Sequence, residues 1–173
     1  MIWGGISKES KSPLVIMKRD PESKAQGYTN WSYRQALEEG LLLIWPEASQ
    51  MEEASQMEQK RVLFQHDNAP IHTAYQVMQW LKDHDIELLP DWPPYSPDLN
   101  PTEQVWRMLK ASLRCLFPDL RGLKDNIADW ERFYDIIRQA WDAISQHRIV
   151  QLIDSMERRL RAVIRARGWY TKW

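Results

Sequence analysis

Apolar and polar positions along the chain follow two rhythms, one of short runs and one of helical spacing. Residues 1–6 and 13–18 are short apolar runs separated by Gly, Ser and Lys, a pattern that predicts two strands joined by a turn. From Tyr28 to Ile44 the apolar positions Trp31, Ala36, Leu37, Leu41 and Leu43 recur at helical spacing, which predicts an amphipathic helix ahead of Pro46. The β-branched and aromatic run from Arg61 to His66 predicts a further strand, stopped by Asp67-Asn68-Ala69-Pro70. Behind it a helix is expected with Ala74, Val77, Met78, Trp80 and Leu81 on its inner side, then a short strand from Ile86 to Leu89.

Five prolines fall in the twelve residues from Pro90 to Pro101 and predict a rigid loop that fixes the element after it. That element reads as a helix from Pro101 to Leu116 with Val105, Trp106, Leu109 and Leu113 facing inward. Its start is written locally: Asn100 as N-cap, Pro101 at the first helical position and Glu103 at the third. Two further helices are predicted, Ile127 to Ile144 and Ile149 to Arg167, the second stopped by Gly168. Strands alternating with helices, then helices alone, predict an α/β layer with a C-terminal helical flank. A tandem hexapeptide at residues 47–58 is too short an array for a solenoid and reads as a duplication in an exposed acidic segment.

Composition narrows the class of protein. A chain of 173 residues that is 43% hydrophobic and carries 10 Trp can build one packed core, which argues against disorder. Its single Cys excludes a disulfide framework and a Cys-built zinc site, so a reducing compartment is the default. No apolar run approaches the roughly eighteen residues of a membrane span, and the start shows no secretory leader. The net charge of −1 conceals a division. Residues 1–103 carry 9 basic and 16 acidic groups, whereas residues 104–173 carry 14 basic and 8 acidic. A basic part beside an acidic part able to hold metal is one pattern expected of an enzyme acting on nucleic acid. An Arg-rich helix is also commonly just a solvated face.

Two carboxylates stand where chemistry is expected. Asp67 ends a predicted strand, the place where ligands gather in open α/β sheets. Glu103 stands one turn into a helix, 36 positions later, with room for a strand and helix between. Such a pair can hold Mg²⁺ through oxygen ligands and leave sites for waters and phosphate oxygens. Each also has a plainer reading: Glu103 as a capping-box carboxylate, Asp67 as a turn residue before Asn68.

The surrounding words are more specific than the spacing. Phe64-Gln65-His66-Asp67-Asn68-Ala69-Pro70-Ile71-His72 and Trp92-Pro93-Pro94-Tyr95-Ser96-Pro97-Asp98-Leu99-Asn100-Pro101-Thr102-Glu103-Gln104-Val105-Trp106 closely resemble the second and third acidic motifs of Tc1/mariner-type transposases. Met1-Ile2-Trp3-Gly4-Gly5-Ile6 and Ser12-Pro13-Leu14-Val15 are similar to a stretch upstream in the same domain. The resemblance covers residues 1 to about 115 and is loose over the C-terminal helices. It implies a ribonuclease-H-like mixed sheet flanked by helices, with an Asp, Asp, Glu set binding Mg²⁺ or Mn²⁺ for DNA cleavage and strand transfer. Asp67 matches the second carboxylate and Glu103 the third, with Asn68, His72, Asn100 and Pro101 as supporting motif residues. The family's first Asp lies on a central first strand, for which no residue here stands; Asp20 and Glu22 come in the wrong order. The expectation is therefore an incomplete catalytic domain over residues 1–116 with its first, central strand missing. A basic helical extension over 117–173 would complete the chain. Transposon ends and target DNA are the partners implied, with room for a homodimer, and a nuclear address accords with that task.

Other residues carry weaker readings. His66 could serve as ligand or base, yet strand alternation points it away from Asp67. Trp92 and Tyr95 could stack on a base, but aromatics in a proline loop more often seal a core edge; Trp106 reads as core packing and Cys115 as a small buried residue. Arg158, Arg159, Arg161, Arg165 and Arg167 spread around their helix, where neutralising phosphates and simple solvation are equally compatible. A non-catalytic nucleic-acid-binding or interaction protein derived from a transposon remnant is the competing function.

Overall fold

Pairing begins at the N-terminus and stops early. In the computed structural model, which describes residues 1–45, 62–118, 122, 124 and 126–173, β1 (Ile2–Trp3) pairs antiparallel with β2 (Val15–Ile16) in the register Ile2 to Ile16 and Trp3 to Val15. The predicted runs are longer because they were read without their partners. Pro13 has no N–H to extend the ladder, and the buried Ser12 hydroxyl instead accepts from Gly5 N at 2.8 Å. The two later strands reduce to one parallel bridge between Phe64 and Leu88, with Phe64 N donating to Glu87 O at 2.7 Å and Leu89 N to Phe64 O at 2.8 Å. The hexapeptide repeat and Arg61 lie outside the described residues.

The chain divides into two units, Met1–Gly5 with Lys11–Tyr95 and Ile6–Ser10 with Ser96–Trp173. In the first, α1 (Asn30–Ala36) starts at a capping box in which Thr29 accepts from Trp31 N at 3.2 Å and Ser32 accepts from Thr29 N at 3.2 Å. It runs on into a π-helical stretch, Leu37–Leu41. That stretch inserts one residue, so Ile44 is buried and completes the inner face, while Leu43, expected there, is 60% exposed. Gly40 sits in the same stretch because the Trp3 ring lies on it: a Cβ there would fall 2.3 Å from Trp3 Cζ3. The crossover helix α2 (Tyr75–Asp83) buries Val77, Trp80 and Leu81, but Met78 turns out to be 41% exposed. With Val15, Met17, Tyr33, Leu37, Leu41 and Ile86 these form the core of the unit.

The second unit is helical: α3 (Pro101–Leu116), α4 (Ile127–Asp142), α5 (Gln146–Asp154) and α6 (Met156–Arg165). α3 begins and ends where its capping signature predicts, with Asn100 accepting from Thr102 N at 3.1 Å. It buries Val105 and Leu109, and Trp106 stacks on the buried Trp141 of α4 at 5.3 Å. The helix expected from Ile149 to Arg167 is two helices broken at Ser155, and Gly168, at φ +78°, comes after the second. Because α3 packs on α4 and α5, the helix bearing Glu103 belongs with the C-terminal helices rather than with the strands.

Candidate active-site carboxylates

Asp67 is carried on a turn directly after the Phe64 bridge and is tied down through one oxygen. Its Oδ1 accepts from Ala69 N at 3.0 Å and from His72 Nδ1 at 2.6 Å. A carboxylate can only accept, so His72 donates from Nδ1. Oδ2 has no partner among the described residues, and the side chain is 61% exposed. His72 is placed in turn by its neighbours: its ring lies 3.9 Å from that of Tyr33 and stacks against His66 at 5.5 Å. Tyr33 is fully buried on α1, accepts a hydrogen bond from the Trp3 indole and bonds His66 Nδ1 at 3.0 Å.

His66 supports Asp67 from behind. Burial, and then the neighbouring His72, push its imidazole down to about 4, so it is neutral near pH 7 and accepts the Tyr33 proton at Nδ1. Burial pushes the Tyr33 hydroxyl well up, which keeps that proton in place. Asn68 fastens the turn to the proline loop by donating from Nδ2 to Trp92 O at 2.9 Å. Tyr33 carries no sequence signal and Trp3 only its place in the Met1–Ile6 stretch; the fold sets both behind Asp67.

Glu103 is presented first by local chemistry. Asn100 and Pro101 start α3 as their types dictate, and Glu103 N donates to Asn100 O at 3.2 Å. Its carboxylate is exposed and does not fold back onto the N-cap; it makes no hydrogen bond or ion pair among the described residues. The capping-box reading of Glu103 is thereby corrected. Asp20 behaves oppositely: its oxygens accept from Thr29 Oγ1 at 2.6 Å and Glu22 N at 2.9 Å, which hold it below the usual carboxylate range.

Asp67 and Glu103 are hard, exposed oxygen donors of the kind that suit Mg²⁺ or Mn²⁺. Among the described residues no group of three or more His, Cys, Asp or Glu side chains is gathered to hold an ion. Three side chains depart from expectation. Tyr95 is fully exposed at φ 54° and seals nothing, and Cys115 is exposed near the end of α3. Arg159 is buried to 1% exposure, so it is not part of a solvent-facing basic set. Arg158, Arg161, Arg165 and Arg167 are exposed, with Arg161 paired to Glu157.

Comparison with known proteins agrees with this reading of the motifs. Residues 48–124 match the DDE superfamily endonucleases. Over its whole length the chain is 33% identical to the Tc1 transposase of Caenorhabditis elegans, covering 54% of that protein. Over 111 residues it is 36% identical to the Tcb2 transposase of Caenorhabditis briggsae, covering 37% of it. In fold it is similar to the Mos1 transposase catalytic domain solved with raltegravir and Mn: TM-score 0.63, 24% identity, 99% of this chain and 76% of that one. Residues 48–124 are thus similar to the DDE superfamily endonucleases, and the chain shares the mixed α/β fold of the Mos1 catalytic domain. Its sequence similarity extends to Tc1-type transposases of Caenorhabditis over part of their length. The chain spans about half the length of the Tc1 transposase it matches.

Proposed function

We propose that these residues form the metal-dependent, DNA-processing part of a Tc1/mariner-type transposase, with Asp67 and Glu103 as the second and third carboxylates of its Asp, Asp, Glu set. The observation that carries the proposal is the state of the two side chains. Asp67 is oriented through Oδ1 with Oδ2 left over, and Glu103 is uncommitted at the start of a firmly capped helix. A divalent ion held by such carboxylates supplies Lewis-acid activation of a water or 3′-hydroxyl and relief of charge on the leaving oxygen. The Mos1 catalytic domain is known with Mn, in keeping with Mg²⁺ or Mn²⁺ here.

The chain's own residues have distinct tasks in this proposal. His72 fixes the Asp67 rotamer, and Asn68 anchors its turn. Asn100 and Pro101 set the first turn of α3 and so the position of Glu103. The exposed Arg158, Arg161 and Arg165 neutralise phosphates, giving salt-sensitive binding to transposon-end and target DNA. A homodimer and a nuclear site of action complete the proposal. None of the 173 residues is assigned as the first carboxylate. Among the described residues the β1–β2 pair and the Phe64–Leu88 bridge are not joined by a ladder, in keeping with a further strand between them.

The exposed Arg158, Arg161 and Arg165 equally support a second reading, a non-catalytic DNA-binding or interaction protein of transposon origin. One experiment separates the two. Purified protein is incubated with supercoiled DNA and Mg²⁺ or Mn²⁺, alongside Asp67→Asn and Glu103→Gln. Nicking lost in both variants supports the enzyme; no nicking at any metal concentration, with salt-sensitive DNA binding intact in both variants, sinks it in favour of the binder.

A further inference from the structure

A guanidinium withdrawn from water on an otherwise Arg-rich, solvated helix calls for a partner that justifies its desolvation. Arg159 of α6 has one. Its Nε donates to Ser155 Oγ at 2.8 Å, its Nη1 donates to the backbone carbonyl of Asp98 at 3.0 Å, and the Trp173 ring lies 5.0 Å from its Cζ. The Asp98 side chain is gripped as well, its Oδ2 accepting from Thr171 N at 2.7 Å. Asp98 is therefore held at main chain and side chain by α6 and the residues C-terminal to it.

Asp98 lies in the one-turn 3₁₀ segment Pro97–Leu99, which leads directly into the cap of α3. Asn100 N donates to Pro97 O at 3.1 Å, Asn100 caps Thr102 N, and Glu103 N donates to Asn100 O at 3.2 Å. With Pro97 and Pro101 at either end, this segment has few free dihedrals to absorb a displacement. We propose that Arg159 is a positioning residue for Glu103: by clamping Asp98 it sets where α3 begins and hence where the Glu103 carboxylate stands. The inference rests on the reading of Glu103 as a metal-holding carboxylate. Arg suits the task where Lys does not, since one planar fork reaches Ser155 and Asp98 together and offers a face to Trp173.

The test uses the full chain with Arg159→Met, Arg159→Lys, Thr171→Pro and Glu103→Gln. Amide hydrogen exchange is measured at residues 98–104 and, as an internal control, at Ile136–Trp141 of α4; Mn²⁺ binding is titrated by electron paramagnetic resonance. Arg159→Met is expected to speed exchange at Leu99, Asn100 and Glu103 about tenfold while α4 keeps its protection. It should also weaken Mn²⁺ binding to about the extent of Glu103→Gln, with Arg159→Lys recovering part of both effects. Thr171→Pro removes the amide that Asp98 Oδ2 accepts from, along with the hydroxyl that accepts from Trp173 N at 3.4 Å, and leaves Arg159 in place, so it reports on the clamp even where Arg159→Met fails to fold; the same pattern, smaller, is expected. Exchange unchanged at 98–104, or raised equally in α4, overturns the inference. So does faster exchange without loss of Mn²⁺ affinity when Glu103→Gln does lose it. If Glu103→Gln leaves Mn²⁺ binding intact, the metal reading of Glu103 itself has failed, and the inference falls with it.

Discussion

Replacing Gly40 by alanine places a methyl group where the Trp3 ring already is. The added Cβ would stand 2.3 Å from Trp3 Cζ3, 2.8 Å from Cε3 and 3.1 Å from Val15 Cγ2, against ordinary contacts of 3.4–4 Å. The indole has to retreat by about 1 Å, and overpacking of this kind costs about 1–3 kcal/mol. It cannot retreat freely, since its far edge lies against Gly5 and its N–H is bonded to Tyr33. Alanine returns about 1 kcal/mol in helix propensity, so the net loss is between about 0 and 2 kcal/mol. Urea unfolding monitored by tryptophan fluorescence measures it. A Trp3→Leu background removes the obstructing ring, and there Gly40→Ala should cost about 1 kcal/mol less. A cost of Gly40→Ala identical in both backgrounds would refute the packing of Trp3 on the π-helical stretch.

Four further outcomes are expected. His72→Phe leaves the fold intact but removes the donor to Asp67 Oδ1, so Mn²⁺ affinity should drop about ten- to a hundredfold by isothermal titration. Asn100→Ala should cost about 1 kcal/mol in thermal unfolding and Asn100→Gly only a few tenths, because glycine still suits an N-cap. His66, held at about 4 by burial against its ordinary 6.5, excludes a proton in the folded state that the unfolded chain binds. Its contribution is present above pH 6.5 and is lost as pH falls toward 4, by about 3 kcal/mol; in chelator, His66→Gln should flatten that stretch of the stability profile. Cys115, exposed on α3, should react with a maleimide in the native state as fast as a free thiol, and protection of it would contradict its placement.

The features legible from residues alone were those that residues decide locally. The start of α3 is legible because Asn100 as N-cap and Pro101 at the first helical position are chemistry within one turn. The strands were located but overdrawn: strand length depends on the partner, and the neighbour of Phe64 is Leu88, over twenty residues away. Apolar spacing places Leu43 on the buried face because it cannot show the extra residue of a π turn. The break at Ser155 was illegible for a tertiary reason, since that hydroxyl faces a buried Arg159 whose own position depends on Asp98. Arg159 looked like its neighbours in composition and differs from them only through this contact.

The two carboxylates are held by opposite means, and this bears on how each would respond to change. Asp67 depends on a side-chain relay through His72, His66, Tyr33 and Trp3, drawn from a turn, α1 and β1. Its orientation is thus only as firm as the core of the first unit, and a substitution as remote as Gly40 reaches it through the Trp3 ring. Glu103 depends on main-chain geometry, a proline-bounded turn and an N-cap, with one buried Arg fastening the turn. Its side chain has no protein partner among the described residues to orient it, so that order has to come from whatever the carboxylate binds. Asp67 is thus oriented in advance by its own surroundings, whereas the Glu103 carboxylate is positioned by its main chain and left unpartnered among the described residues.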